Sequence, residues 1–267
     1  MTQPGARPPA TPATGVTYVF AVFQDARART VAEAGGLAGM PGGAAVRVLP
    51  SGSLAALVQT VPAADFTDEA WQERLTDLRE LETYARAHHT VVSAVAGRCP
   101  TVPLPLATLY HDDARAQEEL CRESERFHAA LRRIAYRSEW GVKVYASAPG
   151  TDEPEPAPAP TRAVPGAGLA YLNRKRGVQE RREWRREQAL RLAETVDAEL
   201  RAFAEASRRL RVETREDREV QVLNATYLIG EHQVEEFALL VDTVRERTGG
   251  QIELSGPWVP YSFVGEA

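Results

Sequence analysis

The chain has few of the residues that mark disulfide-rich, metal-binding or membrane proteins. It contains 2 cysteines and 2 methionines in 267 residues, and Cys99 and Cys121 are too far apart for a CxxC motif. That spacing supports neither a disulfide framework nor a zinc cluster, so we expect both thiols to be reduced and buried. No window approaches about 18 consecutive apolar residues, and the sequence therefore predicts no membrane-spanning helix.

A targeting signal is also lacking. Residues 1–15, MTQPGARPPATPATG, hold one arginine and no apolar stretch, so we interpret them as a disordered leader rather than a secretory signal. Over the whole chain, 43% of residues are apolar, 26% are charged and the net charge is -5. This balance predicts a folded cytoplasmic protein and argues against a general nucleic-acid binder.

Motifs for catalysis and cofactor binding are missing as well. The stretch from Gly35 to Gly43 contains neither GxGxxG nor GxxxxGK, so we interpret it as a flexible loop rather than a phosphate-binding loop. No Ser-His-Asp arrangement is evident from the local sequence. No metal-ligand spacing such as HExxH occurs among the five histidines, His88, His89, His111, His128 and His232. We therefore assign no catalytic, cofactor-binding or metal-binding residue and predict that the protein is not an enzyme.

What the chain does have is a repeated order of strands and helices. A first domain is predicted over residues 16–136. It begins with a buried strand at Tyr18–Phe23, a short helix at 27–38, and a hairpin of Val46–Leu49 with Leu54–Thr60.

A long helix and an edge strand continue this domain. The helix is capped by Thr67, with Phe66 packed onto Trp71, and is predicted to break near His88. Its buried seam is predicted to be Trp71, Leu75, Leu78, Glu82, Ala85, His89 and Val92. The edge strand at Val102–Tyr110 completes a β-α-β-β-α-β order, which is the ferredoxin-like order. A closing helix opens at Asp112 and Asp113, with an apolar stripe of Ala116, Leu120, Phe127, Leu131 and Ile134.

The same order recurs in a second domain, residues 137–267. Its predicted elements are a strand at Trp140–Ala146, a proline-rich loop at 148–166, a long helix at 168–211, strands at 212–216 and 219–229, a helix at 231–247 and a last strand from Gln251 onward. We therefore predict an α+β protein of two domains. The N-terminal domain is α/β with ferredoxin-like order, and the C-terminal domain is a modified ferredoxin-like domain with a long helix.

The long helix changes character along its length. Its second half has an apolar seam of Ala189, Ala193, Val196, Leu200, Phe203 and Leu210. Its first half, residues 173–187, reads NRKRGVQERREWRRE. Three interpretations stay open: a solvated helix end with i,i+4 ion pairs, a basic projection that grips an acidic partner with Trp184 as an anchor, or a nucleic-acid contact. The candidate partner-binding residues are Arg174, Lys175, Arg176, Arg181, Arg182, Trp184, Arg185 and Arg186.

The chain ends in a cluster of prolines and aromatic residues from Gly256 to Phe263. Two prolines remove backbone donors, and the aromatic rings carry large apolar surfaces, so we expect the tail to be docked. The prediction is that Trp258, Tyr261 and Phe263 complete the core of the second domain under the long helix, near Trp140.

Two motifs carry a family resemblance. SEWGVKVYA at 138–146 and LSGPWVPYSF at 254–263 resemble the GvpL/GvpF family of gas vesicle accessory proteins. Weaker matches are TYVFAV at 17–22, AHHTVVSAV at 87–95, PLPLATLY at 103–110 and AYLNRKR at 170–176. The residues taken as the structural family motif are Glu139, Trp140, Gly141, Lys143, Gly256, Pro257, Trp258, Pro260, Tyr261 and Phe263. Two departures stand out: PLPLAT at 103–108 replaces the family's common PLRFGT, and His89 stands where glutamate often follows the histidine.

The resemblance implies a two-domain protein with a ferredoxin-like C-terminal domain and a non-enzymatic role in gas vesicle assembly. The implied partners are the small, hydrophobic gas vesicle shell protein (GvpA-like) and other Gvp accessory proteins, with neither nucleic acid nor a membrane. The implied location is the cytoplasm and the gas vesicle, where the protein acts in nucleation, in chaperone-like assembly or as a minor vesicle component. The hypothesis from another class is a nucleic-acid-binding regulator that uses residues 173–187, which salt-sensitive DNA binding would favour.

Overall fold

A computed structural model describes residues 15–32, 36–147, 167–212 and 219–265. The chain forms two compact units: the first contains Met1–Tyr136 and Val259–Ala267, and the second contains Arg137–Trp258. The predicted proline-rich loop at 148–166 lies outside the described residues, as does the predicted leader except for Gly15.

The sheet of the first unit is built around one strand that is buried from Thr17 to Phe23. Strand β1 (Gly15–Gln24) pairs antiparallel with β3 (Leu54–Pro62), which pairs with β2 (Arg47–Ser51) in the predicted hairpin. Short strands β4 (Val102–Pro103) and β5 (Leu109–Tyr110) both pair with the other edge of β1. The strand order β2-β3-β1-β4 is the ferredoxin-like arrangement predicted from the element order.

The predicted edge strand at Val102–Tyr110 is interrupted between β4 and β5. Pro103 and Pro105 cannot donate hydrogen bonds, and Ala107 adopts a φ of 62°. The backbone still follows β1, because Leu104 N donates to Phe20 O at 3.0 Å and Thr108 O accepts from Val19 N at 2.9 Å. The segment is therefore a bulged edge rather than a continuous strand.

The described residues of the first unit form five α-helices: α1 (Ala28–Ala32), α2 (Asp68–Thr76), α3 (Leu78–Ala96), α4 (Asp113–Arg122) and α5 (Ser124–Ile134). The caps at Thr67 and Asp112 are confirmed, since each side chain accepts a hydrogen bond from the first turn that follows it. Phe66 stacks on Trp71 with ring centroids 5.9 Å apart, also as predicted. The predicted helix at 27–38 is shorter than expected, because residues 36–39 are not helical.

The single long helix predicted after Thr67 is wrong, because a second cap lies inside it. Asp77 leaves the helical region at φ -95° and ψ 102°, and its side chain accepts from the backbone N–H groups of Arg79 and Glu80. This cap starts α3 in a new phase, so Leu78 is 77% exposed instead of buried. The seam that does face the core is Tyr84, His88, Val91, Val92 and Val95.

The glycine-rich loop is held by one buried side chain. The Gln59 amide accepts from Met40 N at 2.7 Å and donates to Ala44 O at 2.7 Å. A Cβ on Gly39 or Gly43 would come within 2.3 or 2.4 Å of that amide. Glycine at these two positions therefore lets the loop backbone approach the Gln59 amide closely.

The two cysteines differ in environment. Cys99 is buried as predicted, whereas Cys121 is exposed. The prediction for Cys121 is wrong because the seam of α4 turns inward at Ala116 and Leu120, which places the next residue at the edge of the helix.

The second unit repeats the ferredoxin-like order with a much longer first helix. Its elements are β6 (Arg137–Ser147), α6 (Ala167–Phe203), β7 (Ala206–Arg209), β8 (Glu219–Gly230), α7 (Val234–Thr248) and β9 (Gln251–Trp258). The antiparallel sheet has the order β7-β8-β6-β9. Val196 and Leu200 of α6 and Phe237 and Val241 of α7 pack together with Tyr227 of the sheet.

The long helix ends earlier than predicted. Glu205 N donates to Leu228 O at 3.1 Å, so the chain joins the sheet directly after Phe203, and β7 begins at Ala206 instead of 212. Leu210 therefore lies outside the helix and is 38% exposed. Pairing with β8 overrides the helix propensity of residues 204–211. Most of the predicted strand at 212–216 lies outside the described residues.

The prediction that the aromatic tail packs under the long helix is wrong. Val259 joins the hydrophobic core of the first unit, Phe263 is 4% exposed, and the Tyr261 ring lies 6.4 Å from the ring of His88. Trp258, the last residue of β9, is 47% exposed. Just before it, Pro257 lacks an N–H donor and Gly256 takes a φ of 136°, so the pairing with β6 is irregular between Ser255 and Trp258 and resumes at Trp258 opposite Glu139.

Candidate partner-binding surface

Groups able to perform enzyme chemistry are sparse in the part of the chain that the structure describes. Those residues include no group of three His, Cys, Asp or Glu side chains that could hold a metal ion. Ser53 Oγ lies 2.8 Å from His128 Nε2, but the pair is exposed and no described carboxylate hydrogen-bonds the other ring nitrogen. A serine–histidine pair without a group that orients the imidazole lacks the third part of a catalytic triad.

A buried histidine of the first unit is part of the core. Tyr18 donates its hydroxyl hydrogen to His88 Nδ1 at 2.8 Å, and Ala107 N donates to the same tyrosine oxygen at 3.1 Å. Burial lowers the pKa of His88 to about 4, which keeps the ring neutral and able to accept this bond. His88 is therefore a core residue whose Nδ1 is hydrogen-bonded, whereas its Nε2 is buried without a hydrogen-bond partner among the described residues.

A buried carboxylate organises the second unit. Asp197 on α6 is 1% exposed and accepts hydrogen bonds from Tyr227 at 2.8 Å, Arg209 at 2.8 Å and Arg201 at 2.7 Å. Burial by itself would raise the pKa of Asp197, but the bonds from Tyr227 and Arg209 outweigh it and hold that pKa below its ordinary value. Sequence reasoning missed Asp197. The available signal was an acidic residue inside an apolar helix seam.

Helix α6 therefore has two unlike parts. The packed segment, Arg191–Phe203, buries Ala193, Val196 and Leu200 together with Asp197. In the arginine-rich segment, Arg176–Leu190, no described side chain is buried, and Trp184 is 61% exposed. Of the predicted partner-binding residues, Arg176, Arg181, Trp184, Arg185 and Arg186 lie here with described side chains. Those of Arg174, Lys175 and Arg182 lie outside the description.

Charges on the arginine-rich segment are only partly compensated. Gln179 donates to Glu183 at 3.2 Å, and Glu187 pairs with Arg191 at 2.6 Å, which is the i,i+4 pairing expected of a solvated helix. Arg185 and Arg186 form no ion pair with any described residue. Arg201 and Arg209, at the packed segment, both pair with Asp197.

An apolar groove runs along the arginine-rich segment. Its volume is ≈ 540 Å³, and it is bounded by α6, by the start of β8 and by the end of β6. Leu190, Val212 and Val220 line it and are 53%, 40% and 45% exposed, while Arg185 and Arg186 lie on its rim. A second concavity of ≈ 490 Å³ on the helix is lined by Trp184 and Leu192. We call the first of these the α6–β8 groove.

The residues of the predicted family motif lie elsewhere, in β6, β9 and the tail. Trp140 is 9% exposed and packs 6.3 Å from the Phe237 ring. A Cβ on Gly141 would lie 2.7 Å from Ser255 Oγ, so glycine lets β9 approach β6. Lys143 pairs in register with Glu253 of β9. These positions form the junction of two strands and no part of the α6–β8 groove.

The fold and this surface together define an α+β protein of two ferredoxin-like units that exposes a basic helix beside apolar grooves. Among the described residues, no helix combines the length and apolarity needed to cross a membrane.

Comparison with known proteins gives the family. The chain belongs to the GvpL/GvpF family of gas vesicle synthesis proteins, whose family model matches residues 16–265. It is 37% identical over 258 residues to gas vesicle protein L of Streptomyces sp. (strain CB03234), a match that covers 94% of this chain and 93% of that protein. The resemblance inferred from the two motifs is confirmed, and with it a role related to gas vesicles.

Two crystal structures have a similar fold. Gas vesicle protein GvpF from Anabaena sp. PCC7120 matches with a TM-score of 0.63 at 15% identity, over 95% of this chain and 97% of that one. GvpF from Microcystis aeruginosa matches with a TM-score of 0.58 at 14% identity, over 95% and 100% of the two chains. At these identities the likeness bears on the fold, and it confirms the predicted α+β class.

Proposed function

We propose that the protein is a non-enzymatic assembly factor that binds the gas vesicle shell protein (GvpA-like) and other Gvp accessory proteins. The observation that carries the proposal is the arginine-rich segment of α6, where Arg185 and Arg186 have no ionic partner among the described residues and the ring of Trp184 is exposed. Aromatic and arginine side chains are the residue types most enriched in binding hot spots.

The physical need for such a factor follows from the partner. A small shell protein that assembles through apolar surfaces is prone to aggregate before it reaches the growing shell. A protein that covers those surfaces in the cytoplasm would keep the subunit available for nucleation. It acts as a chaperone during assembly and stays with the gas vesicle as a minor component.

Co-purification tests this function. A tagged full-length chain is expressed with the shell protein under conditions that keep the subunit in solution, and we expect the subunit to elute with it. Changing Arg181, Arg182, Arg185 and Arg186 together to glutamate should abolish capture without lowering the melting temperature, because no described side chain of this segment is buried.

The matched control changes Arg132 and Arg133 to glutamate, since both are exposed neighbours on α5 of the first unit. Capture should survive that change. Failure of the unaltered chain to retain a soluble shell subunit would refute the proposed partner.

A further inference from the structure

Exposed apolar side chains from separate elements meet in the α6–β8 groove. Leu190 comes from α6, Val220 from β8, and Val212 from the residues that follow β7. Apolar surface gathered in one concave site of this size is typical of a binding site rather than of ordinary protein surface.

The rim of the groove has an excess of positive charge. Among the described residues, Arg185 and Arg186 are without ionic partners, and Glu183 is the one acidic residue of the lining. Glu183 accepts a hydrogen bond from Gln179. A partner segment that fills the groove with apolar side chains therefore gains from carboxylates placed at its edge.

The dimensions of the groove suit a helix. From Glu183 to Leu190 the wall spans about two turns of α6, or roughly 10 Å. Side chains form the walls of the groove. Anchors at positions i, i+3 or i+4, and i+7 of a helix fill a groove of this length.

We propose that the α6–β8 groove binds an amphipathic helix of a partner protein that carries carboxylates beside its apolar face. This inference rests on the proposed assembly function and deepens it, because it gives the chemistry of the segment that the protein recognises. Apolar anchors contact Leu190, Val212 and Val220, and the carboxylates pair with Arg185 and Arg186.

Two synthetic peptides test the proposal with the full-length chain. Both are labelled helices of about 18 residues with the same leucine-rich face, and one has glutamate beside that face where the other has lysine. Fluorescence anisotropy should show the glutamate peptide binding about tenfold more tightly, because two rim ion pairs form in one complex and two repulsive contacts in the other.

Three variants identify the site. Arg185→Glu with Arg186→Glu should reverse the preference in favour of the lysine peptide. Leu190→Asp should weaken both peptides by about tenfold or more, since it places a charge among apolar anchors. Leu239→Asp is the matched control, because Leu239 is 66% exposed on α7 and outside the groove.

Several outcomes would overturn the proposal. They are equal binding of the two peptides, binding of neither, an unchanged preference after charge reversal, or equal losses in Leu190→Asp and Leu239→Asp. A dimer of the full chain that Leu190→Asp dissociates would assign the groove to a second copy. If the peptides bind more tightly after Asp152, Glu153 and Glu155 are changed to serine, the groove would be assigned to these acidic residues of the same chain.

The peptide and co-purification experiments fail independently. Capture of the shell subunit without charge-selective peptide binding would refute the proposed role of the groove and support the assembly function. Charge-selective peptide binding without capture would support the proposed role of the groove and refute the shell protein as its partner.

Discussion

The two segments of α6 belong to one continuous helix of 37 residues but have opposite surroundings. In the packed segment, Leu200 is fully buried and Asp197 is surrounded by donors. In the arginine-rich segment, Leu190 and Trp184 face solvent, and Arg185 and Arg186 lack ionic partners among the described residues. The contrast separates what holds the second unit together from what is available to a partner, since helices gain most of their stability from the face that packs.

The largest difference in the free energy of unfolding should appear between alanine variants of two leucines that lie ten positions apart. Leu200→Ala should lower the free energy of unfolding by about 3 kcal/mol, because it leaves a cavity between α6, α7 and the sheet. Leu190→Ala should change it by less than about 0.5 kcal/mol, because that side chain is 53% exposed. Urea unfolding followed by circular dichroism measures both, and equal losses would mean that the arginine-rich segment is packed as tightly as its neighbour.

A smaller difference in the free energy of unfolding is expected between variants of the charged residues in the two segments. Asp197→Ala should cost about 2 kcal/mol, because Tyr227 loses its acceptor and two arginines lose a buried partner. The loss is moderated because the Arg201 and Arg209 side chains are 57% and 46% exposed. Arg185→Glu with Arg186→Glu should stay within about 0.5 kcal/mol of the unaltered protein, and a loss as large as that of Asp197→Ala would contradict the contrast.

The contribution of Asp197 to the free energy of unfolding should depend on pH in a defined direction. The folded-state pKa of this carboxyl is held below the ordinary value of 3.8, so its stabilising effect is complete above that value and is lost as the pH falls through the folded-state pKa. The difference in unfolding free energy between the unaltered protein and Asp197→Asn should therefore shrink below pH 3.8. A difference that grows in acid would exclude an ionised, hydrogen-bonded Asp197.

The smallest effect should come from the ion pair at the boundary of the two segments. Glu187→Gln removes the pair with Arg191 and should cost about 0.3 kcal/mol, because both side chains are largely exposed. Thermal unfolding in low and high salt measures this, and the effect should vanish in high salt. A salt-independent loss above about 1 kcal/mol would show that Glu187 has a structural role beyond the pair.

Local patterns predicted the elements that depend on local chemistry. Alternating and continuous apolar runs indicated the long strands of both sheets but not β7, and Thr67 and Asp112 indicated helix starts, because a cap is satisfied within its own first turn. The helix start at Asp77 was not predicted. The apolar spacing continued across it, and only the backbone conformation reveals that a new helix starts there.

The candidate surface could be predicted only in part. The arginines of α6 are evident as a run in the sequence, and their exposure follows from the loss of the apolar seam. The opposite wall of the groove was missed, because Val212 and Val220 come from other elements and reach α6 only through the pairing of the sheet. Nothing local to either valine distinguishes it from a core residue.

The sequence by itself determined the α+β class, the repeated ferredoxin-like order and the family, because these depend on local periodicity and on short motifs. Tertiary structure alone decided that the tail packs in the first unit and that Asp197 is buried among donors. It also decided that an apolar groove adjoins Arg185 and Arg186, which form no ion pair within the described part of the chain. These features join residues distant in the chain, and which distant groups meet is set by the pairing and packing of whole elements rather than by the preferences of any single segment.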